Sequence, residues 1–573
     1  MKTVALYNLG CKVNSYEMEV MRQILREKGY GIVAFDERAD IYIVNTCTVT
    51  NIADRKSRQM LHRARQLNPD AVVVAVGCYV QTGREAVEAD PGIDLAIGNN
   101  RKKDIAAILE EYLERRREGG QERDKTLEGA TVLDIGHTYE YEEMRLKHTA
   151  ERTRAYIKIQ DGCNQFCSYC AIPYARGRVR SRRAEDVLEE VRGLVDAGYR
   201  EVVLTGIHIS SYGIDFGEDG SQAGSAGGAG SGQESVLLRG GSGQEEGDAA
   251  GAQTGRKAGS AGDPGFGQES VLLRGGAGQE EGDAAGSQTG RKAGSAGDPE
   301  SGQESVLLRG GSGQVPGNQG ALREEPRTDD RARERKRQPA YNGRSRLVEL
   351  VEQIHGIEGL ERIRLGSLEP RIVTPEAVRR LAALPKLCPH FHLSLQSGCD
   401  ATLKRMNRHY TAGEYYKSVE LLRECFHRPA ITTDVIAGFP GETEAEFADT
   451  REFLEKAGLY EMHVFKYSRR EGTAAASMPD QVPEPVKARR SAELIALGER
   501  QSVEFRRRYI GKEAEALLEE TREIGGRTYC IGHTKDYVKV AVDVTERLQE
   551  APAMINTVVK IPVRDFLTDE ILM

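Results

Sequence analysis

The sequence predicts an α/β protein with three parts: an amino-terminal parallel α/β domain, a partial (βα)6 barrel and a small carboxy-terminal β-barrel. Three observations predict this arrangement. Apolar runs alternate with helical segments near the amino terminus, repeated strand–helix units fill the middle, and the end of the chain alternates in polarity with a period of two. Alternating strands and helices favour parallel sheets covered by helices, whereas a period of two is typical of half-buried strands.

The amino-terminal domain is predicted at residues 1–115. Its apolar runs VALYNLG, IYIVNT and AVVVAVG each end directly before a cysteine, namely Cys11, Cys47 and Cys78. Because the carboxyl ends of parallel strands share one edge of a sheet, where ligands bind, these three thiols are expected to meet in one crevice. A shared metal cluster is the prediction, and the alternative is that each is an ordinary buried cysteine.

A second set of cysteines is local, with the spacing C-x3-C-x2-C: Cys163, Cys167 and Cys170. Structural zinc sites usually show pairs of ligands, and no second pair follows here. Ten cysteines in 573 residues are too sparse for a disulfide framework. The spacing therefore favours an iron–sulfur cluster, with zinc or free thiols as alternatives. Three thiolates leave one iron of a four-iron cluster open, which indicates catalysis more than electron storage.

The barrel is predicted at residues 149–507. The run AYIKIQDGC is predicted to be a strand that leads into the local cysteines, and about five further strands follow, each ending in a polar or glycine-rich loop. Repeated βα units of this kind predict a barrel or part of one. An insertion at residues 216–343 interrupts it. The insertion repeats GQESVLLRGG every 35 residues and has little apolar content, so it is predicted to be disordered.

The carboxy-terminal barrel is predicted at residues 508–573. Within it Lys535, Tyr537 and Lys539 are candidate RNA contacts, since cations bind phosphate and aromatic rings stack on bases. The alternative is that Tyr537 packs inward. A basic run, ARGRVRSRR, follows the local cysteines, and we interpret it either as a phosphate-binding patch or as a solvated face. Its candidate phosphate contacts are Arg176 and Arg178.

Composition and the lengths of the apolar runs predict where in the cell the protein is located. The net charge is −8, so the overall charge of the chain does not itself indicate nucleic-acid binding. No apolar stretch reaches the ~18–20 residues of a membrane helix. The first apolar run is too short for a signal peptide. A cytoplasmic protein with no membrane contact is expected, and a reducing cytoplasm suits oxygen-sensitive clusters.

These motifs carry a family resemblance. The local cysteines, with Tyr169 before the last of them, resemble the radical S-adenosylmethionine (SAM) signature. The strings GCNQFCSYCAIPYARGRVRSR, GCKVNSYE, NTCTVT and VGCY resemble the methylthiotransferase branch, and within it the family that acts on threonylcarbamoyladenosine in tRNA. The string GHTKDYVKV resembles the TRAM domain, an RNA-binding module.

The resemblance implies two [4Fe–4S] clusters and SAM as cofactors. Cys163, Cys167 and Cys170 would hold the catalytic cluster, whose open iron chelates SAM and whose electron cleaves it to a 5′-deoxyadenosyl radical. The dispersed cysteines would hold a second cluster linked to sulfur donation. Loops that approach SAM are implied as well, although structural turns explain Thr205, Gly206 and Glu369 about as well. The candidate SAM-binding residues are Tyr169, Thr205, Gly206, Glu369 and Gly438.

The implied reaction adds a methylthio group to C2 of N6-threonylcarbamoyladenosine at tRNA position 37. The carboxy-terminal barrel would grip the anticodon arm, and a donor such as flavodoxin or ferredoxin would supply electrons. Two alternatives within the family are isopentenyladenosine in tRNA and an aspartate of a ribosomal protein. An alternative from another class is a non-catalytic iron–sulfur protein that binds RNA or transfers electrons.

Several other side chains have a structural and a functional interpretation. Arg405 and Arg408 are interpreted as surface charges of a helix, although in the family this stretch lies near the active site. His208 and His392 are more readily satisfied core histidines than catalytic ones. The remaining four cysteines show no ligand spacing and are expected to be free thiols.

Overall fold

The structure is a computed structural model that describes residues 2–118, 125–127, 129–147, 153–217 and 345–573. Apart from its first two residues, the predicted insertion at 216–343 lies outside the described residues. The chain on either side of it is close together, because Nη2 of Arg346 donates to the carbonyl of Gly217 at 3.1 Å. The chain therefore leaves and re-enters the fold at neighbouring points.

The amino-terminal domain is a five-stranded parallel sheet with the strand order β2-β1-β3-β4-β5. Every residue of β3 and β4 is buried, which explains why these strands are continuous apolar runs. The predicted parallel α/β domain is confirmed. Its strands are β1 (Thr3–Asn8), β2 (Gly31–Val33), β3 (Ile41–Thr46), β4 (Val72–Gly77) and β5 (Leu95–Ile97); its helices are α1 (Lys12–Glu27), α2 (Asn51–Leu67), α3 (Cys78–Thr82), α4 (Arg84–Ala89) and α5 (Ile105–Arg117).

The middle of the chain forms the predicted partial barrel. In the described residues, β6, β8 and β9 pair in parallel, as do β10, β11 and β12, and single bridges such as Leu368–Leu393 connect the two groups. Six parallel strands thus curve around one inner face. The strands are β6 (Arg154–Asp161), the short antiparallel β7 (Arg180–Ser181), β8 (Glu201–Gly206), β9 (Arg362–Leu365), β10 (His390–His392), β11 (Ala430–Ala437) and β12 (Glu461–Lys466).

Helices follow the barrel strands, and two of them begin with a capping box. The Thr411 hydroxyl accepts from the backbone of Glu414, whose carboxylate accepts in return, and Thr443 and Glu446 do the same. The helices are α6 (Ile172–Arg176), α7 (Ala184–Asp196), α8 (Arg346–His355), α9 (Pro375–Ala382), α10 (Asp400–Arg405), α11 (Ala412–Cys425), α12 (Glu444–Ala457) and α13 (Glu484–Arg507). No helix of the described residues is long and apolar enough to span a bilayer.

The carboxy-terminal part is a six-stranded sheet with the order β16-β13-β14-β15-β18-β17. Its pairs are antiparallel except for β15 with β18, in keeping with the predicted alternation. Its closure into a barrel and its relation to the TRAM domain stay predictions. The elements are β13 (Glu513–Ile524), β14 (Arg527–Thr534), β15 (Lys539–Asp543), α14 (Ala551–Met554), β16 (Val558–Pro562), β17 (Phe566–Thr568) and β18 (Ile571–Leu572).

A buried cluster of charges joins the first domain to the barrel. The carboxylate of Glu17, on α1, pairs with Lys102 and lies 2.9 Å from Nζ of Lys158 and 2.8 Å from Nη1 of Arg176. Asp161, at the end of β6, lies 3.1 Å from both Lys158 and Arg176. Burial raises the pKa of both carboxyl groups, but the neighbouring cations outweigh it and hold each pKa well below its usual range.

This cluster corrects the predicted role of Arg176. Arg176 is fully buried, so it is not a surface contact for RNA phosphate, and that prediction is wrong. Arg180 and Arg182 of the same basic run are also buried, and Arg182 pairs with Glu190. Arg178 is half-buried, with its guanidinium 4.6 Å from a phenylalanine ring centroid. A contact of Arg178 with phosphate stays a prediction.

Replacing Arg176 with Ala should destabilise the protein strongly. The change leaves Glu17 and Asp161 buried with one cation fewer, which costs about 3–5 kcal/mol. The matched control is Arg183→Ala, whose side chain is 65% exposed, and there we expect a change within about 0.5 kcal/mol. Urea unfolding followed by far-ultraviolet circular dichroism measures both. Equal midpoints for the two variants would contradict a structural role for Arg176.

Candidate active site

The local cysteines lie on a loop that begins where β6 ends. Segments that follow β10 and β12 hold this loop in place. The backbone N–H of Ser168 donates to the carbonyl of Met406 at 3.0 Å, and that of Ala475 donates to the carbonyl of Ser168 at 2.8 Å. Phe166 has a φ of +48°, and Asn407 donates to its carbonyl at 2.9 Å. A bulky residue rarely adopts this conformation, so the surrounding structure constrains the loop.

The three thiols of this loop are close enough to act on one another. Burial, together with a charge on Cys167, raises the pKa of Cys163 and raises that of Cys170 to about 12. Thiols in such surroundings stay protonated unless a cation compensates the thiolates. Arg408 supplies one positive charge, since its Nη1 donates to Sγ of Cys167 at 3.2 Å.

The dispersed cysteines meet at the carboxyl edge of the first sheet. Cys11 directly precedes α1, Cys47 follows β3, and Cys78 begins α3 after β4. Burial, together with charges on Cys78 and Cys11, raises the pKa of Cys47 to about 12. Gly10 has a φ of +103°, and a Cβ there would lie 3.0 Å from Sγ of Cys47, so the loop approaches the thiol only because it is glycine.

The two sets of cysteines fit iron–sulfur clusters better than zinc. All ten cysteines are free of disulfides. Each set offers three thiols, one fewer than the four ligands of a structural zinc site. Three thiols suit a four-iron cluster with one open iron.

Side chains bridge the two sets of cysteines. Nδ2 of Asn99 lies 3.5 Å from Sγ of Cys78 and donates to the carbonyl of Ala175 at 2.7 Å. Nη2 of Arg176 donates to Oδ1 of Asn14 at 2.6 Å, only three residues after Cys11. Helix α6, which begins two residues after the last local cysteine, therefore contacts the segments that carry the dispersed ones.

Three of the predicted SAM-binding residues lie beside the cysteine loop. The ring of Tyr169 packs edge-on against Phe439, 6.2 Å between centroids, and Gly438 precedes that phenylalanine with a φ of +73°. Glu369 is buried, and its carboxylate accepts from Gln165 of the loop at 3.4 Å. Whether these residues contact SAM stays a prediction.

Glu369 is held in its charged form. Its carboxylate lies 3.3 Å from Nε2 of His208 and 3.0 Å from Nη2 of Arg371. Burial raises its pKa, but these two neighbours outweigh it and lower the value to about 2. His208 is thus a partner of a candidate SAM-binding carboxylate rather than an isolated core histidine.

Thr205 and Gly206 end strand β8. Thr205 is buried, and a Cβ on Gly206 would lie 2.9 Å from the carbonyl of Gln160. This close approach explains the glycine structurally, because the neighbouring strand leaves no space for a side chain. A contact of either residue with SAM stays a prediction.

Arg408 belongs to the site, although its sequence context favours a surface charge of a helix. It lies in the loop after α10, where Nε donates to the hydroxyl of Tyr410 at 2.8 Å while Nη1 reaches Cys167. Its neighbour Arg405 pairs instead with Glu446 at 2.6 Å, which is the structural role expected of it. Arg408 and Cys167 are 241 residues apart, and no spacing in the sequence connects them.

Two of the candidate RNA contacts of the carboxy-terminal part, Tyr537 and Lys535, contact the barrel. The ring of Tyr537 stacks between the imidazoles of His390 and His533, with centroids 4.9 and 4.5 Å away. The prediction that Tyr537 stacks on an RNA base is therefore wrong, and the inward-packing alternative is correct. Nζ of Lys535 donates to the carbonyl of Pro385 in the barrel at 3.3 Å. Lys539 is half-buried on β15, and its contact with RNA stays a prediction.

Comparisons with known proteins agree with this geometry. Residues 3–98 match the uncharacterized protein family UPF0004, and residues 157–224 and 340–454 match the radical SAM superfamily. The threonylcarbamoyladenosine tRNA methylthiotransferase MtaB of Bacillus subtilis is 32% identical, over 98% of this chain and 94% of that protein. The MtaB of Aquifex aeolicus is 31% identical, over 94% of this chain and 98% of that protein. The chain belongs to this methylthiotransferase family.

More distant similarities were also found. A tRNA-2-methylthio-N(6)-dimethylallyladenosine synthase of Moorella thermoacetica is 28% identical, over 92% of this chain and 90% of that protein. Among solved structures, the radical SAM methyltransferase TsrM of Kitasatospora setae has a TM-score of 0.45 and 13% identity, covering 81% of this chain and 73% of that one. The methylthiotransferase family uses SAM and [4Fe–4S] clusters, for which the two sets of cysteines are suitable ligands.

Iron content tests these ligand sets. Anaerobically reconstituted protein should hold about eight irons, and replacing Cys163, Cys167 and Cys170 with Ala should leave about four. Replacing the three dispersed cysteines should also leave about four. Iron analysis with absorption spectra measures this, and Cys425→Ala, outside both sets, should keep the full amount. Full iron in either triple variant would show that its cysteines hold no cluster.

Proposed function

We propose that this protein adds a methylthio group to C2 of N6-threonylcarbamoyladenosine at position 37 of tRNA. The observation that carries the proposal is the pair of cysteine sets, which Asn99 and Arg176 hold next to one another. A sulfur-inserting enzyme needs its sulfur source near the place where the substrate radical forms. The relatives named MtaB support the choice of substrate.

When bound, the clusters and SAM supply the radical, sulfur and methyl chemistry that an unactivated C–H requires. The chain itself supplies position, charge and shelter. Arg408 places a positive charge at Cys167, and Glu369 stays ionised as an acceptor beside the cysteine loop. An apolar wall of Tyr169, Phe439 and Tyr467 limits water on one side of that loop.

We further propose two partners of this protein and the boundaries of its domains. The anticodon arm of tRNA contacts the carboxy-terminal part at residues 508–573 together with Arg178. A donor such as flavodoxin or ferredoxin reduces the clusters in the cytoplasm, where tRNA and reduced thiols occur together. The chain is divided into an amino-terminal domain at residues 1–115 and a barrel at residues 149–507.

Nucleoside analysis of a deletion strain tests the substrate. Total tRNA from the strain should lack 2-methylthio-N6-threonylcarbamoyladenosine and contain its precursor, as measured by mass spectrometry. The wild-type gene should restore the product, and the variant lacking Cys163, Cys167 and Cys170 should not. Loss of the methylthiolated dimethylallyl or isopentenyl nucleoside instead would favour the other tRNA substrate.

Salt dependence of tRNA binding tests the remaining basic residue. Arg178→Ala should weaken binding and reduce the slope of log K against log salt by about one, because one phosphate contact releases about one counterion. The matched control is Arg451→Ala, a half-exposed arginine on α12. A slope for Arg178→Ala equal to that of wild type would assign this arginine to packing on Phe166.

A further inference from the structure

The guanidinium of Arg408 is held against one of the local thiols and keeps its positive charge available there. Its Nη1 donates to Sγ of Cys167 at 3.2 Å. Within the described ranges no carboxylate lies in salt-bridge distance of it: Glu369, which acts on it from farther away, pairs instead with His208 and Arg371. An arginine without an ion pair therefore donates directly to a cluster ligand.

The position of this guanidinium is fixed by a buried tyrosine. The hydroxyl of Tyr410 accepts from Nε of Arg408 at 2.8 Å and itself donates to the carbonyls of Ser394 and Leu395, at 2.6 and 3.0 Å. The ring of Tyr410 also lies 5.0 Å from the guanidinium carbon. The backbone that follows β10 thus orients Arg408 through Tyr410, as outer partners orient the groups around a metal site.

The cysteine loop is attached to the same segment on both sides of Cys167. The hydroxyl of Ser168 donates to the carbonyl of Arg405 at 2.8 Å, and Nδ2 of Asn407 donates to the carbonyl of Phe166 at 2.9 Å. These two loop residues flank Cys167. The distance from Nη1 to the sulfur is therefore set by the backbone around it rather than by a free side chain.

The dispersed cysteines have a different kind of donor. Nδ2 of Asn99, a neutral amide, lies 3.5 Å from Sγ of Cys78. Arg176, which lies between the two sets, is paired with the carboxylates of Glu17 and Asp161. The two sets of thiols thus differ in the charge of the side chain that donates to them.

A charged donor affects the two oxidation states of a cluster unequally. A [4Fe–4S] cluster on three thiolates gains one negative charge when it accepts an electron, so a cation and a hydrogen bond at its sulfurs stabilise the reduced state more. Both raise its reduction potential. Arg408 supplies both at Cys167. Because the reduced cluster provides the electron for SAM cleavage, a residue that stabilises this state determines how much of the enzyme is ready to react.

We propose that Arg408 raises the reduction potential of the cluster on the local cysteines, with Tyr410 as the positioning residue that acts through it. The inference rests on the proposed function in taking Cys163, Cys167 and Cys170 as cluster ligands. In the step concerned, a low-potential donor loses one electron and the cluster gains it, and no bond forms or breaks. Arg408 thereby directs the electron to the cluster that binds SAM.

A potentiometric titration of the anaerobic holoenzyme tests this role. Dithionite and redox mediators set the potential, and electron paramagnetic resonance measures the reduced fraction of each cluster. The variant in which Ala replaces Cys11, Cys47 and Cys78 gives the signal of the local cluster alone and so assigns the spectra. The dispersed cluster then serves as an internal control in every other variant.

Two substitutions separate the charge of Arg408 from its structural contacts. Arg408→Gln keeps an N–H group and removes the charge. At a fixed potential we expect the ratio of reduced to oxidised local cluster to fall about tenfold, which is about 59 mV for a one-electron couple. Arg408→Lys keeps the charge and should restore most of the ratio, whereas a merely structural role would make Lys as harmful as Gln. The potential of the dispersed cluster should not change in either variant.

Lys404→Gln is the matched control. It removes the same charge four residues earlier on α10, from an exposed side chain that solvent and salt screen, so both potentials should stay at their wild-type values. A wild-type potential of the local cluster in Arg408→Gln would overturn the inference. An equal shift of both clusters would overturn it as well, because the effect would then not belong to Cys167.

Iron content separates this inference from the proposed function. If Arg408→Gln holds fewer than about eight irons, Tyr410→Phe gives the same comparison, because it removes only the hydroxyl that holds Nε. A lower ratio of reduced local cluster in Tyr410→Phe supports the role of Arg408, and a wild-type ratio contradicts it. Wild-type protein with only about four irons would instead overturn the proposed function, since one set of cysteines would then hold no cluster.

Discussion

The arrangement of this protein depends on one buried ion cluster. Glu17 of the first domain lies among Lys102, Lys158 and Arg176, and Asp161 completes the set from the barrel. Charges removed from water are stable only when each one is paired and hydrogen-bonded, so the cluster tolerates no missing member. Arg176 ends the helix that follows the local cysteines, and Glu17 lies on the helix that follows Cys11. The ion pairs that Glu17 and Asp161 make with Arg176 therefore hold the two sets of thiols at a fixed distance from each other.

Local signals in the sequence were sufficient for the parallel sheets and for the two sets of cysteines. Apolar runs identified the buried parallel strands, and a cysteine directly after each run placed three thiols on one sheet edge, where the structure has them. The spacing of Cys163, Cys167 and Cys170 identified the second set in the same way. These features are short-range, because strand periodicity and ligand spacing are properties of a few consecutive residues.

Long-range pairing was outside the reach of sequence reasoning. A basic run favours a surface position, yet Arg176 is buried because its partner Glu17 lies 159 residues earlier. Tyr537 is enclosed by His390 and His533, one of them from another part of the fold. Arg408 belongs to the site because it donates a hydrogen bond to Cys167, 241 residues away.

The buried ion cluster also has a consequence for how the protein is made. The ribosome delivers Glu17 and Lys102 long before Lys158, Asp161 and Arg176 leave the exit tunnel. Until then the first domain exposes a carboxylate and an ammonium to water where the finished fold buries them. The ion cluster is thus completed only after synthesis of the barrel has begun, because Lys158, Asp161 and Arg176 all belong to the barrel segment.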